Sequence, residues 1–284
     1  MYPAHGVALF PPFPRDHRVF VAMSFNLQFE ARWSTVIAPG IAGVRLDNRS
    51  LEPFRIDIPR TAASLPAAIV EALAQSRLVF CDVTSLDGHR NGNVMYEIGI
   101  AHAIRQPEEV VMFRSDKESL LFDIAGIRVN AYDPDVEPDA ARERVAVAIS
   151  AALQEVQMTQ AATVKRMTET LDLMSAAVLF DVVARRQFPH PQASTFGELT
   201  ARAPIVSAIT RLLELGLITA AWGRLDLEAT NMEIKPLADW LRSSAHYAPT
   251  ELGKVVVARL GESLELGRYM SVLVQDERDG NGEN

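Results

Sequence analysis

Glu97 is the side chain from which the chemistry of this chain can be read. It lies in the stretch Leu78 to Ala103, which opens on a short apolar run, Leu78 to Cys81, bounded by Asp82. A polar, glycine-containing loop follows, and then an apolar, alanine-rich segment with helical spacing. The pattern is that of a buried strand, a loop at its carboxyl end and the start of a helix. Asn93 fits an N-cap, which places Glu97 about one turn inside the helix. In an open α/β sheet, ligands bind at that end of the strands. A carboxylate there can stabilise positive charge or act as a nucleophile, and Asp82 and Asn91 are close by in sequence. The bland alternative is an ordinary first-turn glutamate favoured by the helix dipole.

The elements that must position these residues follow from the order of the chain. Arg18 to Phe25 reads as a first strand ending in a Ser24-Phe25-Asn26 turn, and Leu27 to Ile37 as a helix that stops before Pro39 and Gly40. Val44 to Asp47 reads as a second strand, followed by a long loop with Arg49, Arg55 and Arg60. Leu65 to Gln75 is an amphipathic helix leading into the strand that ends at Asp82. Glu109 to Arg114 and Ile127 to Tyr132 supply a fourth and fifth strand, and a helix spans Asp139 to Gln157. Strands alternating with helices predict a doubly wound, parallel five-stranded sheet covered on both faces, with a flavodoxin-like strand order.

Composition bounds the rest. The chain has 284 residues, 48% of them hydrophobic, enough for two domains with real cores. Its net charge of −8 supplies no global basic field to draw it onto nucleic acid or an acidic membrane, although a local basic face remains open. The single cysteine, Cys81, excludes an intramolecular disulfide, and its place in a central strand predicts a buried apolar role. The proline- and aromatic-rich start, Met1 to His17, lacks the features of a signal peptide. No apolar run approaches the roughly 20 residues that span a bilayer. A soluble, cytoplasmic protein with no membrane partner is expected. The histidines and acids show no HxH or HExxH spacing, so no metal is expected.

Four segments together resemble a known group. Val19 to Phe25, Cys81 to Thr84, Asn93 to Ala103 and Phe122 to Arg128 come in the order and at about the spacing seen in bacterial TIR-like domains related to nucleoside 2-deoxyribosyltransferases. The Asn-Val-x-Tyr-Glu-x-Gly-x-Ala-His-Ala core is the specific part, and the resemblance covers roughly residues 18–133. It implies a flavodoxin-like sheet and a glutamate, here Glu97, acting on an N-glycosidic bond. Related domains cleave NAD or transfer deoxyribose between bases, and others only bind nucleotides. Asn91-Gly92-Asn93 stands where relatives often have Asn-Pro-Asn, which leaves the loop freer.

Cleaving a ribosyl–base bond passes through an oxocarbenium-like state, and a carboxylate beneath the sugar stabilises that charge or captures the carbon as an ester. On the resemblance, Glu97 is the stabiliser or nucleophile. Asp82 either holds a ribose hydroxyl or caps its loop, and Asn91 or Asn93 orients the carboxylate or the sugar. Backbone N–H groups of Ser24, Phe25 and Asn26 can receive a phosphate or ribose. Phe25 either stacks on a base or joins the core, and Arg45 or Arg49 either pairs with a phosphate or stays solvated. Ala101, one turn past Glu97, leaves room for a ligand. His102 lies off the face of Glu97 and reads as structural. NAD or a nucleotide enters as substrate, and no cofactor is expected.

From about Thr163 the pattern turns helical. Val164 to Arg186 reads as a long helix, Thr195 to Thr200 as a short one, and Ile205 to Leu215 as another with Pro204 at its first turn. A strand follows Gly216, and Tyr247 to Gly253 leads into a last helix, Lys254 to Leu260; Leu237 to Arg242 is a further helical candidate. The order resembles a winged helix-turn-helix domain, mainly α, over residues 163–270, after a first domain over 18–157. Pro249 departs from the leucine usual in that frame. Such domains often place the second helix in the DNA major groove. Here that helix offers Ser207, Thr210, Arg211 and Glu214, with Arg202 before it, a thin basic footprint. DNA or a protein is the partner expected of it. The tail from Asp276 is acidic and is expected to be disordered.

The pairing of the two domains resembles some retron effectors, which implies an antiphage effector in a homo-oligomer or larger complex. The alternative is a nucleotide-sensing, DNA-binding transcription regulator without catalysis.

Overall fold

The computed structural model describes residues 10–11, 15–56, 65–119, 128–185, 188–189, 195–222 and 245–264. The chain divides into two compact units, residues 1–160 and 161–284.

The first unit is built on a five-stranded, all-parallel sheet. Its strands are β1 (Arg18–Ala22), β4 (Glu52–Phe54), β5 (Leu78–Asp82), β6 (Val110–Arg114) and β7 (Val129–Ala131), in the order β4-β1-β5-β6-β7. Counting sheet strands alone, that is 2-1-3-4-5, an order compatible with a flavodoxin-like fold. The sheet reverses direction of growth between β1 and β5, and their carboxyl ends flank the candidate site. Strand residues alternate between two cores. Val19, Val21, Phe80 and Phe113 pack on one face with Val145 and Ile149, while Phe20, Ala22, Val79 and Met112 pack on the other with Leu73, Val94 and Ile98. Cys81 is fully buried in the second core, and burial first, then the nearby Glu97 and Asp82 carboxylates, push its thiol upward.

Several local expectations are corrected. The second sheet strand is β4, three residues long, and Val44 to Asp47 instead contributes to a hairpin of β2 (Arg45–Leu46) and β3 (Arg49–Ser50) outside the main sheet. Its turn residues Asp47 and Asn48 both take positive φ, 48° and 64°, as a two-residue turn of matching twist requires. The first helix, α1, does not stop at Pro39. It runs over residues 27–42 as a 3-10 turn, a short α segment, a π segment (Trp33–Ile37) and a final α turn (Ala38–Ala42). The π turn shifts the hydrogen-bond register, with Ala38 N–H reaching the Trp33 carbonyl, so the chain takes in Pro39 without breaking the helix. Gly40 is required there: a Cβ would come within 2.9 Å of the Arg142 carbonyl.

Helix α2 (Leu65–Gln75) and helix α3 (Gly92–Ile104) cover one face of the sheet, and α4 (Pro138–Thr170) supplies Val145 and Ile149 to the other. Helix α4 is 33 residues long and passes through the region expected to separate two helices. The break comes at Asp172, whose carboxylate accepts the Ser175 N–H at 2.8 Å and caps α5 (Leu173–Arg185).

In the second unit, β8 (Phe188–Pro189), β9 (Ile218–Trp222) and β10 (Ala245–Pro249) form an antiparallel sheet in the order β8-β10-β9. The two helices expected between Thr195 and Leu215 are one, α6 (Phe196–Glu214), with Pro204 inside it. Pro204 and Thr200 are both exposed, so the carbonyl that loses its partner meets water. Thr250 caps the last helix, α7 (Glu251–Leu264), and a side chain at Gly253 would collide with the Leu217 carbonyl. Leu237 to Arg242, the tail from Asp276, Arg60 and Phe122 to Ile127 lie outside the described residues. Among the described residues, no helix is long and apolar enough to cross a membrane.

Candidate active site

The loop after β1 and the start of α3 meet through one side chain. Asn91, not Asn93, is the N-cap of α3: its Oδ1 accepts the N–H groups of Asn93 and Val94 at 2.9 and 3.3 Å. Its Nδ2 donates to the Ser24 Oγ at 3.3 Å, which ties the helix start to the end of β1. Asn26 caps the following 3-10 turn by accepting the Gln28 N–H at 3.0 Å. The cap falls at Asn91 because that residue carries the extended φ and ψ a cap needs, −67° and 118°, whereas Gly92 and Asn93 already belong to the first turn.

Beside this junction lies a cavity of about 640 Å³, within the usual range for small-molecule sites. Ser24, Phe25, Asn26, Asn91, Asn93 and Glu97 all line it. Glu97 is half-buried and makes no hydrogen bond or ion pair with any described residue. Burial pushes its carboxyl up from 4.5 to about 7. A carboxylate that is desolvated, unpaired and cavity-facing is held ready for a positive charge supplied from outside the protein.

Asp82 and Arg45 lie elsewhere. Asp82 does not line the cavity. It is buried, and its oxygens accept from Arg32 Nη1 at 3.1 Å, Tyr132 O–H at 2.8 Å, Thr84 N–H at 3.0 Å and the Thr84 hydroxyl. Arg32 reaches on to Asp135 at 2.7 Å. Burial alone would lower the Arg32 pKa, but Asp82 and its neighbours outweigh it and raise it. Asp82 therefore holds the strand end and Thr84, and Thr84 itself borders the cavity. Arg45 is exposed on the hairpin, where it donates to the Asn48 carbonyl at 2.6 Å, and Arg49 is exposed on the facing strand. Ala101 is fully buried in the core and leaves no room for a ligand. His102 is half-buried, burial lowers its pKa, and it does not line the cavity.

Phe25 is not core: it is 49% exposed and borders the cavity. Sequence reasoning missed Tyr96, 58% exposed at the same cavity, although its place directly before Glu97 in the Asn-Val-x-Tyr-Glu stretch was a usable signal. Arg90, also at the cavity, had no such signal. Its guanidinium donates to Asp116 at 3.2 and 3.3 Å and to the Val83 carbonyl, fastening the β5 loop to the loop after β6. Burial would raise the Asp116 pKa, but the Ser85 N–H and Arg90 hold it below the usual range. Among the described residues, no three His, Cys, Asp or Glu side chains converge as metal ligands would.

No protein-family model matches this chain, and no curated protein matches it. Among solved structures it is similar to the metal-soaked Flv1 flavodiiron core from Synechocystis sp. PCC6803, at 16% identity and a TM-score of 0.34 over 50% of this chain. The match spans 36% of that chain's length, and a likeness this distant carries no argument about function.

Proposed function

We propose that the first unit cleaves the N-glycosidic bond of NAD or a related nucleotide or nucleoside, with Glu97 as the catalytic carboxylate. The observation that carries this reading is a glutamate without a hydrogen-bond partner among the described residues, facing a nucleoside-sized cavity, its pKa pushed to about 7 by burial. In the reaction the bond between the anomeric carbon and the base nitrogen breaks, and the base leaves with the bonding electrons. Glu97 stabilises the resulting positive charge until water adds to the anomeric carbon, or captures that carbon as an ester that water then opens, and in either case the water's proton passes to solvent. Nicotinamide leaves NAD as a neutral molecule and needs no acid.

The second unit is read as a winged helix-turn-helix module that regulates the first through DNA or a protein partner, in an oligomeric antiphage effector of the retron kind. The three-stranded antiparallel sheet beside α6 and α7 supports the module. Arg211, the basic residue in the second half of α6, is committed to Asp172 at 3.0 Å, which favours a protein partner over a phosphate backbone.

The test is release of free base or nicotinamide from a panel of NAD, nucleotides and nucleosides by the purified chain, alone and with its co-purifying partners. Activity lost in Glu97→Gln, with kcat/KM of the native chain rising through about pH 7 as the carboxylate ionises, is the expected outcome. Nucleotide binding with no turnover under any of these conditions would move the chain to nucleotide-sensing regulation.

A further inference from the structure

Resting on that reading, in which the base stacks in a slot bordered by Phe25 and Tyr96, we propose that Arg55 is the positioning residue that fixes the Phe25 ring. Both rings are large, exposed and on the same cavity as Glu97, one from the end of β1 and one from the turn of α3 that carries the carboxylate. An exposed aromatic pair in a cavity is costly to leave facing water, and a planar base is the ligand whose faces match it.

The second observation concerns what lies behind Phe25. The Arg55 guanidinium sits 5.1 Å from the Phe25 ring centroid and 4.5 Å from that of Trp33, so the cation is held between two rings. Glu30 accepts from its Nη2 with both oxygens at 3.0 Å, and the Met23 sulfur accepts from Nη1 at 4.0 Å. The Arg55 side chain is only 14% exposed and does not border the cavity. Trp33 and Glu30 belong to α1, and Arg55 follows β4, so the edge strand and the first helix together set the angle of a ring on a loop. A phenylalanine on a free loop would lose rotamer freedom on stacking; one already gripped by a guanidinium has lost it beforehand. Arginine suits this better than lysine because its flat group stacks and chelates at once.

The experiment uses the full chain carrying Glu97→Gln, which cannot turn over, with AMP and base-free ribose 5-phosphate as probes by calorimetry. Phe25→Ala and Tyr96→Ala should each weaken AMP about 5- to 100-fold and leave ribose 5-phosphate within twofold. Phe25→Trp should restore AMP binding. Arg55→Gln should weaken AMP about 3- to 10-fold, and that loss should vanish in the Phe25→Ala background, because the arginine acts only through the ring. The slot is overturned if the alanine variants bind AMP as the parent does, if neither AMP nor NAD binds at millimolar concentration, or if the Arg55 effect persists without Phe25. Turnover by the native chain that ignores Phe25 and Tyr96 sinks the slot alone. Slot-dependent binding without turnover sinks the glycosidase reading alone.

Discussion

Glu97→Gln should make the first unit more stable while it removes activity. The native carboxyl is raised from 4.5 to about 7 by burial, with no partner among the described residues to offset the loss of water. A raised carboxyl pKa means that, between those values, the folded chain holds a proton the unfolded chain has released. Stability therefore falls as pH rises through that window, and the full penalty is present above about 7. Complete desolvation over that interval would correspond to roughly 3 kcal/mol. Glu97 remains partly solvated, so screening reduces the figure to about 1–2 kcal/mol. Glutamine has the same shape and no charge, and it escapes the penalty. The thermal transition of the first unit should therefore rise by about 3–6 °C at pH 8.5 in the variant and match the native chain at pH 4.5 or below. Scanning calorimetry at a series of pH values measures both limbs. A variant equal to or less stable than the native chain at pH 8.5 would refute the picture of an unpaired, desolvated carboxylate, and the catalytic proposal would lose its foundation.

Other perturbations separate holding roles from chemical ones. Asp82→Asn leaves Arg32 buried with Asp135 as its one ionic partner among the described residues, and should cost about 2–4 kcal/mol in denaturant unfolding. If Asp82 gripped a ribose, KM would move instead while stability held. Asn91→Ala removes the cap of α3 and its link to Ser24, and should cost about 1 kcal/mol in the same measurement. Because α3 carries Glu97, kcat should fall with it. Gly253→Ala places a methyl group against the Leu217 carbonyl and should destabilise the second unit by about 1–3 kcal/mol, read from its thermal transition.

The alternation of short apolar strands with longer helical segments was legible in the chain, because strands buried against a core on each face read as unbroken apolar runs. So was the stretch that ends in Glu97, where a buried strand, a loop and a capped helix leave a local signature. Local signatures also misled. Pro39 and Pro204 read as helix boundaries, but a π turn absorbed the first and solvent the second. Val44 to Asp47 has the composition of a strand, yet the paired sheet position went to Glu52–Phe54, whose partner in β1 is set by tertiary pairing.

What the sequence by itself determined was which residues sit at the carboxyl edge of the sheet, since strand direction and loop order follow from the chain. Which of those residues face the cavity was decided only by the folded structure. Asp82 and Glu97 are both acids at that edge. Arg32 and Tyr132, each 50 positions from Asp82, claim one of them, and no described residue pairs with the other. An acid's role depends on which cations and donors reach it across the fold. Partners brought together over such separations leave no trace in the spacing of neighbouring residues.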